Sequence, residues 1–474
     1  MRLSLVYVVG DALSKGIAFL LIPIYTRNMT PAEYGIWAIC LTVVAFLTPL
    51  VSLGLTGAVT RYYVDFDNEQ ERKKFIGTVF LFLVVIGGTV MVILDRTGDV
   101  LFAAIFRDVP FHPYLRLTLW TSYFTLLGTI PIAVLRIQEK AVTYSFLMYG
   151  TSILKVVLAV YLVVVAQRGL LGAVEGMFWA TAIFLPIYIG VVLRNATVGW
   201  KSAWMLQALA FSLPLVPHTL AHWALRLSDR IILERFANLG ELGIYSLGYQ
   251  IIGIVSIVLT GMNNAWVPFL LKNYTRPDAK AFIGRLSTYF VLVTVIITIG
   301  ALLFGRYLVY IFADPEYYSA VTVMFPVALG HLFLGLYFVP VNYLFIAKRT
   351  RGIALATGTG AVVNVLANLW LVPRYGMVAA AWNTALAYLI MFAAVTMMAR
   401  PLRVATIERQ RVVLVLLIAA GMMVVDALLS SEPLWLPFIL RAVLFVSLPL
   451  LLYVVGFYNL EEQSTLRKWM GRIS

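Results

Sequence analysis

Apolar runs of about 20 residues recur from one end of this chain to the other, and they limit what it can fold into. A run of that length crosses a bilayer's hydrocarbon as an α-helix. An outer-membrane barrel would instead alternate apolar and polar residues over about ten positions per strand. Charge agrees with the helical reading: 12% of the 474 residues are charged and 62% are hydrophobic. That is about half the charge share of an ordinary soluble domain. A cytosolic enzyme, a secreted domain and a disordered chain are excluded. The expected class is all-α, a polytopic membrane protein.

Fourteen transmembrane helices are expected, at about 3–27, 34–58, 75–94, 114–135, 142–166, 170–193, 207–234, 241–268, 286–304, 319–346, 352–371, 376–399, 412–429 and 434–457. An even number puts both termini on one face. With the N-terminus inside, 23 Lys and Arg fall in cytoplasmic segments, 7 in outer loops and 6 within spans. Lys and Arg concentrate on the cytoplasmic side of membrane proteins. The expected location is therefore the inner (cytoplasmic) membrane, multi-pass, with both termini cytoplasmic. The net charge of +14 is assigned to this bias and not to nucleic-acid binding. The first span carries Asp11 and Lys15 and reads as a retained helix, not a cleaved signal. Cys40, the one cysteine, lies in an apolar run and reads as a small buried hydrophobe. Loops of no more than about 20 residues leave no room for a soluble catalytic domain, so the protein is not expected to be an enzyme.

Two halves of six spans resemble each other at an offset of about 208 residues. Glu33-Tyr34-Gly35 matches Glu241-Leu242-Gly243, Leu127-Gly128 matches Leu334-Gly335, and the stretch from Arg168-Gly169 parallels that from Arg374 through Gly376. Six spans per half make the repeats parallel. Such repeats occur in transporters that bind substrate between two lobes and expose it alternately.

Several stretches carry a family resemblance. They are Gly10-Asp11-Ala12, Ile22-Pro23-Ile24-Tyr25-Thr26-Arg27, Glu33-Tyr34-Gly35, Arg61-Tyr62-Tyr63, Ser228-Asp229-Arg230-Ile231-Ile232-Leu233 and the segment from Asn364 to Gly376. In this order they resemble polysaccharide flippases of the multidrug/oligosaccharidyl-lipid/polysaccharide (MOP) exporter superfamily, in its O-antigen-type branch. The resemblance implies V-shaped lobes around a central cavity. The N-lobe would be 1–200, the C-lobe 201–405, and 406–474 would hold two further helices and a cytoplasmic tail. It also implies transfer of a polyprenyl-pyrophosphate-linked oligosaccharide to the outer leaflet for cell-surface polysaccharide biosynthesis. The expected partners are that lipid-linked substrate, the bilayer and polysaccharide assembly proteins, with the chain acting as a monomer. Alternatives are another MOP-type exporter, for drugs or for the peptidoglycan lipid precursor, and a membrane polymerase or acyltransferase. No cofactor is expected. H+ and Na+ both stay open as coupling ions.

A charge at mid-bilayer costs about 3 kcal/mol on insertion scales, so such residues face protein or water. Asp11 and Lys15 lie one turn apart and read either as an internal ion pair or as cavity lining. Lys155 shares a face with Thr151 and Ser152, deep in its span. His218, His222, Arg226 and Asp229 form a stripe, with Arg230 beside it. Two His with no third ligand nearby do not make a zinc site, and no metal site is expected. The stripe reads either as an Arg–Asp pair closing the helix end or as an anion-binding wall with titratable His. Gln250, Asn264, Asn364 and Asn368 read equally as sugar contacts or as glue between helices. The deep charges sum to four positive against two negative, a cationic cavity suited to a diphosphate. A reporter fused after Arg400 should read cytoplasmic and one after Ser430 external; the reverse would overturn the topology.

Overall fold

The computed structural model describes residue 16 and residues 19–402, 404–429, 435–459 and 462. Among them every regular element is helical. In chain order these are α1 Ile22–Asn28, α2 Pro31–Ser52, α3 Leu55–Tyr62, α4 Glu69–Phe82, α5 Gly88–Ile105, α6 Arg116–Ile137, α7 Ala141–Val160, α8 Gly169–Asn195 and α9 Ser202–Ser212. They continue as α10 Val216–Phe236, α11 Leu239–Ile252, α12 Ile254–Asn273, α13 Ala279–Phe312, α14 Val321–Ile346, α15 Thr350–Ala399, α16 Arg409–Leu428, α17 Trp435–Val446 and α18 Leu448–Val454.

Among the described residues ten helical stretches are long and apolar enough to cross a membrane, and an eleventh is the pair α17 and α18, bent by 42°. The expectation from sequence was fourteen, and each difference has a physical source. The first expected span lies mostly outside the described residues. α10 carries a polar stripe and is not among the ten. α15 runs 50 residues as one helix, but Gly376 interrupts it with φ 56° and ψ −140°. That left-handed backbone is one a side chain would strain.

The chain forms two units. The first comprises Met1–Tyr249, Phe312–Val323 and Thr357–Ala387. Part of its core is a buried cluster that includes Leu55, Phe75, Leu83, Leu126 and Ile130. Thr30 and Glu33 cap α2 reciprocally: the Thr30 N–H donates to Glu33 Oε2 at 2.8 Å and the Glu33 N–H to Thr30 Oγ1 at 3.3 Å. At α11 the Glu241 N–H donates to Asn238 Oδ1 at 2.8 Å, and the Asn238 side-chain amide donates to Glu241 Oε1 at 3.1 Å. The other Glu241 oxygen accepts from the Met377 N–H at 3.1 Å, just past the Gly376 break. Gly169 also has a positive φ, +49°, and a side chain added there would come within 4.0 Å of Glu33 Oε1. α2 and α11 meet at Gly35 and Gly243. A side chain on Gly35 would strike the Leu239 carbonyl, and one on Gly243 the Pro31 carbonyl. Small residues at such a crossing let two backbones touch.

The second unit comprises Gln250–Ile311, Met324–Ala356 and Tyr388–Ser474. An ionic cluster ties α13, α16 and α17 together. Arg441, 0% exposed, donates to Asp426 at 2.6 Å and to the Tyr307 hydroxyl at 2.7 Å. Arg306 reaches the other Asp426 oxygen at 2.6 Å. One carboxylate thus neutralises part of two buried cations, and these residues hold the last helices in place. Asp426→Ala would leave both arginines short of a counter-charge. Losing one partner of a buried pair costs about 3–5 kcal/mol. Purified Asp426→Ala should melt well below wild type, with Asp426→Asn between them; an unchanged melting curve for Asp426→Ala would contradict this role.

Candidate functional site

A cleft of about 240 Å³ opens in the first unit between α6, α7 and α8. Lys155 lines it with Thr151, Ser152, Thr125, Thr129 and Tyr188. The local folding is plain. Thr151 is buried and its hydroxyl is held by the Leu147 carbonyl at 2.7 Å and by Tyr188 Oη at 3.1 Å. Leu135, Leu147 and Phe184 pack around Tyr188 in a buried cluster. Ser152 turns its hydroxyl to the Met148 carbonyl at 2.8 Å. Lys155 follows one turn after Thr151, about ten residues from the nearer end of the Ala141–Val165 span. It is half-buried, and among the described residues it has no ion-pair partner. The Thr125 hydroxyl is buried there without a hydrogen-bond partner. Hydroxyls ringing one cation suit an anion or a polar lipid headgroup.

α10 carries the second feature. His218, His222 and Arg226 are all exposed, one turn apart on a single stripe. The helix packs on α2 through Trp223, whose ring lies 4.6 Å from that of Phe46. Among the described residues, no acidic side chain pairs with Arg226, whose carbonyl accepts from Arg230 at 3.0 Å. Polar side chains on one exposed face of a helix suit water or a polar partner beside them.

The remaining expected residues divide. Asp229 and Arg230 turn the other way and are buried at 1% and 8% exposure. Arg230 Nη1 donates to Asp229 Oδ1 at 3.0 Å, the Tyr245 hydroxyl donates to the other carboxylate oxygen, and Arg230 lies 4.7 Å over the Tyr249 ring. This cluster closes on itself. Asn364 and Asn368 are both 0% exposed and enter an amide network. Asn364 accepts from Ser228 at 3.3 Å and from Asn368 at 3.2 Å, while Asn383 donates to Asn368 at 3.0 Å. In the second unit, Gln250 is half-buried and Asn264 exposed. Asp11 and Lys15 lie outside the described residues. Among the described residues no three His, Cys, Asp or Glu converge on a possible metal position. Thr125, Thr129 and Tyr188 were not singled out from the sequence. Hydroxyl residues are frequent around Thr125 and Thr129, so nothing in the sequence singles these two out, and only the packing of α6 against α8 brings them to Tyr188.

The fold and the two cationic features define a multi-pass helical membrane protein. The chain belongs to the polysaccharide biosynthesis protein family, whose model matches residues 2–274. It is 23% identical over 276 residues to a protein of the Lsg locus of Haemophilus influenzae, covering 57% of this chain and 65% of that relative. It is also 23% identical over 373 residues to an uncharacterized membrane protein of Haemophilus influenzae, covering 75% of this chain and 86% of the other. The chain thus spans a little under two thirds of the first relative's length and most of the second's. Its fold is similar to that of the lipid II flippase MurJ in an inward closed conformation, with TM-score 0.73 at 14% identity over 95% of this chain and 98% of that one. It is also similar to an inward-facing multidrug resistance MATE family transporter of the MOP superfamily, with TM-score 0.66 at 14% identity over 82% of this chain and 95% of the other.

Exposure separates these residues experimentally. Cys40 is fully buried and contributes no background. Arg226→Cys and Lys155→Cys should react with a hydrophilic thiol reagent in intact membranes, while Asn368→Cys should stay protected. Protection of the first two together with labelling of the third would contradict the placement.

Proposed function

We propose that the protein is a flippase that moves a polyprenyl-diphosphate-linked oligosaccharide from the cytoplasmic to the outer leaflet. The observation that carries this reading is Lys155, a mid-span cation without an acidic partner among the described residues, set in a cleft lined by hydroxyls. A bundle held only by packing would neutralise such a charge, as it does at Asp426 and at Asp229. A diphosphate supplies the missing counter-charge for part of each cycle. Arg226 adds a planar donor suited to phosphate oxygens. The family match supports the polysaccharide assignment, and the fold likeness supports transport and not catalysis.

Transport would use two parallel six-span lobes, 1–200 and 201–405, with 406–474 outside the repeat and fourteen spans in all. The matched Glu33 and Glu241 at the starts of α2 and α11 support that repeat, as do the positive-φ glycines 169 and 376. The lysine and arginine distribution supports cytoplasmic termini in the inner membrane. Asp11 and Lys15 belong to the proposed path, and so do His218, His222, Gln250 and Asn264. Asp229, Arg230, Asn364 and Asn368 would shape it from behind. The fold likeness to a lipid II flippase favours one competing reading, in which the cargo is the peptidoglycan precursor. Loss of the gene separates the two: missing surface polysaccharide with normal cell walls supports the first.

Lys155→Ala and Arg226→Ala should each cut glycan export at least about tenfold, the scale of one charge-assisted contact. Lys155→Arg should retain more activity than Lys155→Ala. Protein level and melting temperature should stay near wild type. Undiminished export in both Ala variants would refute the reading.

A further inference from the structure

A second cleft lies in the first unit where α4 meets the segment 196–201 and the start of α9. It encloses about 360 Å³ and is lined by Glu71, Lys74, Thr78, Trp200, Lys201 and Trp204, among others. Its walls are fixed by backbone contacts. The Thr197 N–H donates to the Lys73 carbonyl at 3.0 Å, and Thr78 Oγ1 donates to the Gly199 carbonyl at 3.2 Å. A side chain on Gly77 would strike the Thr197 carbonyl, so only glycine lets the segment lie this close.

The same backbone joint occurs in the second unit, without a lysine at either of the two positions that match Lys74 and Lys201. There the Thr406 N–H donates to the Lys280 carbonyl at 3.0 Å, and Gly284 meets the Thr406 carbonyl. Counting along from those anchors, the positions of Lys74 and Lys201 are held by Ala281 and Gln410. Packing of this joint therefore needs neither lysine. In the first unit Lys73 is occupied by Glu69 at 2.8 Å. Lys74 has no ion-pair partner among the described residues. Lys201 Nζ rests 3.8 Å over the Trp204 ring. Trp200 is 54% exposed and its indole N–H donates to Ser202 Oγ at 2.9 Å. Exposed tryptophans beside lysines at a span end mark the headgroup layer of a bilayer.

We propose that this cleft binds a lipid phosphate that carries a hydroxylated headgroup. Lys74 and Lys201 would take the phosphate oxygens, the indole faces would cover the carbon skeleton, and Glu71 would accept from a headgroup hydroxyl. Two lipids present that chemistry: phosphatidylglycerol and a polyprenyl diphosphate bearing its first sugar. The second rests on the proposed flippase function and would make the cleft a loading site; the first does not.

The test measures binding by the full-length purified protein in detergent, by native mass spectrometry. The probes are dioctanoyl phosphatidylglycerol, polyprenyl-diphosphate N-acetylglucosamine, dioctanoyl phosphatidic acid and phosphatidylcholine. Lys74→Gln/Lys201→Gln should lose at least about tenfold in affinity for one or both of the first two, with phosphatidylcholine unaffected. Loss confined to phosphatidylglycerol identifies a bilayer lipid as the occupant, and loss confined to the polyprenyl probe identifies substrate loading. Lys74→Arg/Lys201→Arg should retain binding, and Lys73→Gln should match wild type. Glu71→Gln should lower affinity for phosphatidylglycerol relative to phosphatidic acid. Equal binding of both hydroxylated probes by wild type and the Gln/Gln variant would overturn the site. Neither readout uses export, so that failure would leave the Lys155 account standing.

Discussion

A charged side chain inside a bilayer must find a counter-charge or water, because hydrocarbon offers neither. That constraint separates two sets of charges on these helices. Asp229 with Arg230 and Tyr245 is a closed cluster, and Asp426 gives Arg306 and Arg441 a shared counter-charge. They hold helices together. Lys155 and Arg226 have no acidic partner among the described residues, and each stands where polar side chains gather or exposure is high. The proposed transport pairs them with the phosphates of the substrate.

Much of this was legible in the sequence, and the limits have physical reasons. Apolar runs of bilayer length gave the class directly, since no other environment tolerates them. The Lys155 face was legible because a lone lysine among Thr and Ser at helical spacing stands out in an apolar run. The stripe on α10 was legible too, but only its first three members share an exposed face. Asp229 and Arg230 fall past the point where packing takes over, and period alone could not show that. Asn364 and Asn368 illustrate the same limit. An amide can bond a sugar or another amide equally well, and here the partners are Ser228, Asn383 and Thr384.

The glycines carry another layer of information. Gly35 and Gly243 were visible as a repeated Glu-x-Gly pattern, yet their use as the contact between α2 and α11 depends on three-dimensional approach. The Thr197–Gly77 and Thr406–Gly284 joints were not visible at all, because their partners lie about 120 residues apart in the chain. The two joints share a backbone but differ at the two positions that hold Lys74 and Lys201 in the first. That contrast is what singles out Lys74 and Lys201.

The central claim is that unneutralised cations within the membrane exist to carry an anionic lipid headgroup across it. Transbilayer movement in vesicles containing the purified protein tests this most directly. The two probes are a fluorescent polyprenyl-diphosphate-linked saccharide and the same saccharide on an uncharged polyprenyl ether. The account predicts protein-dependent movement of the diphosphate lipid, strongly reduced by Lys155→Ala, and little movement of the ether. Equal movement of both lipids, unaffected by Lys155→Ala, would contradict it.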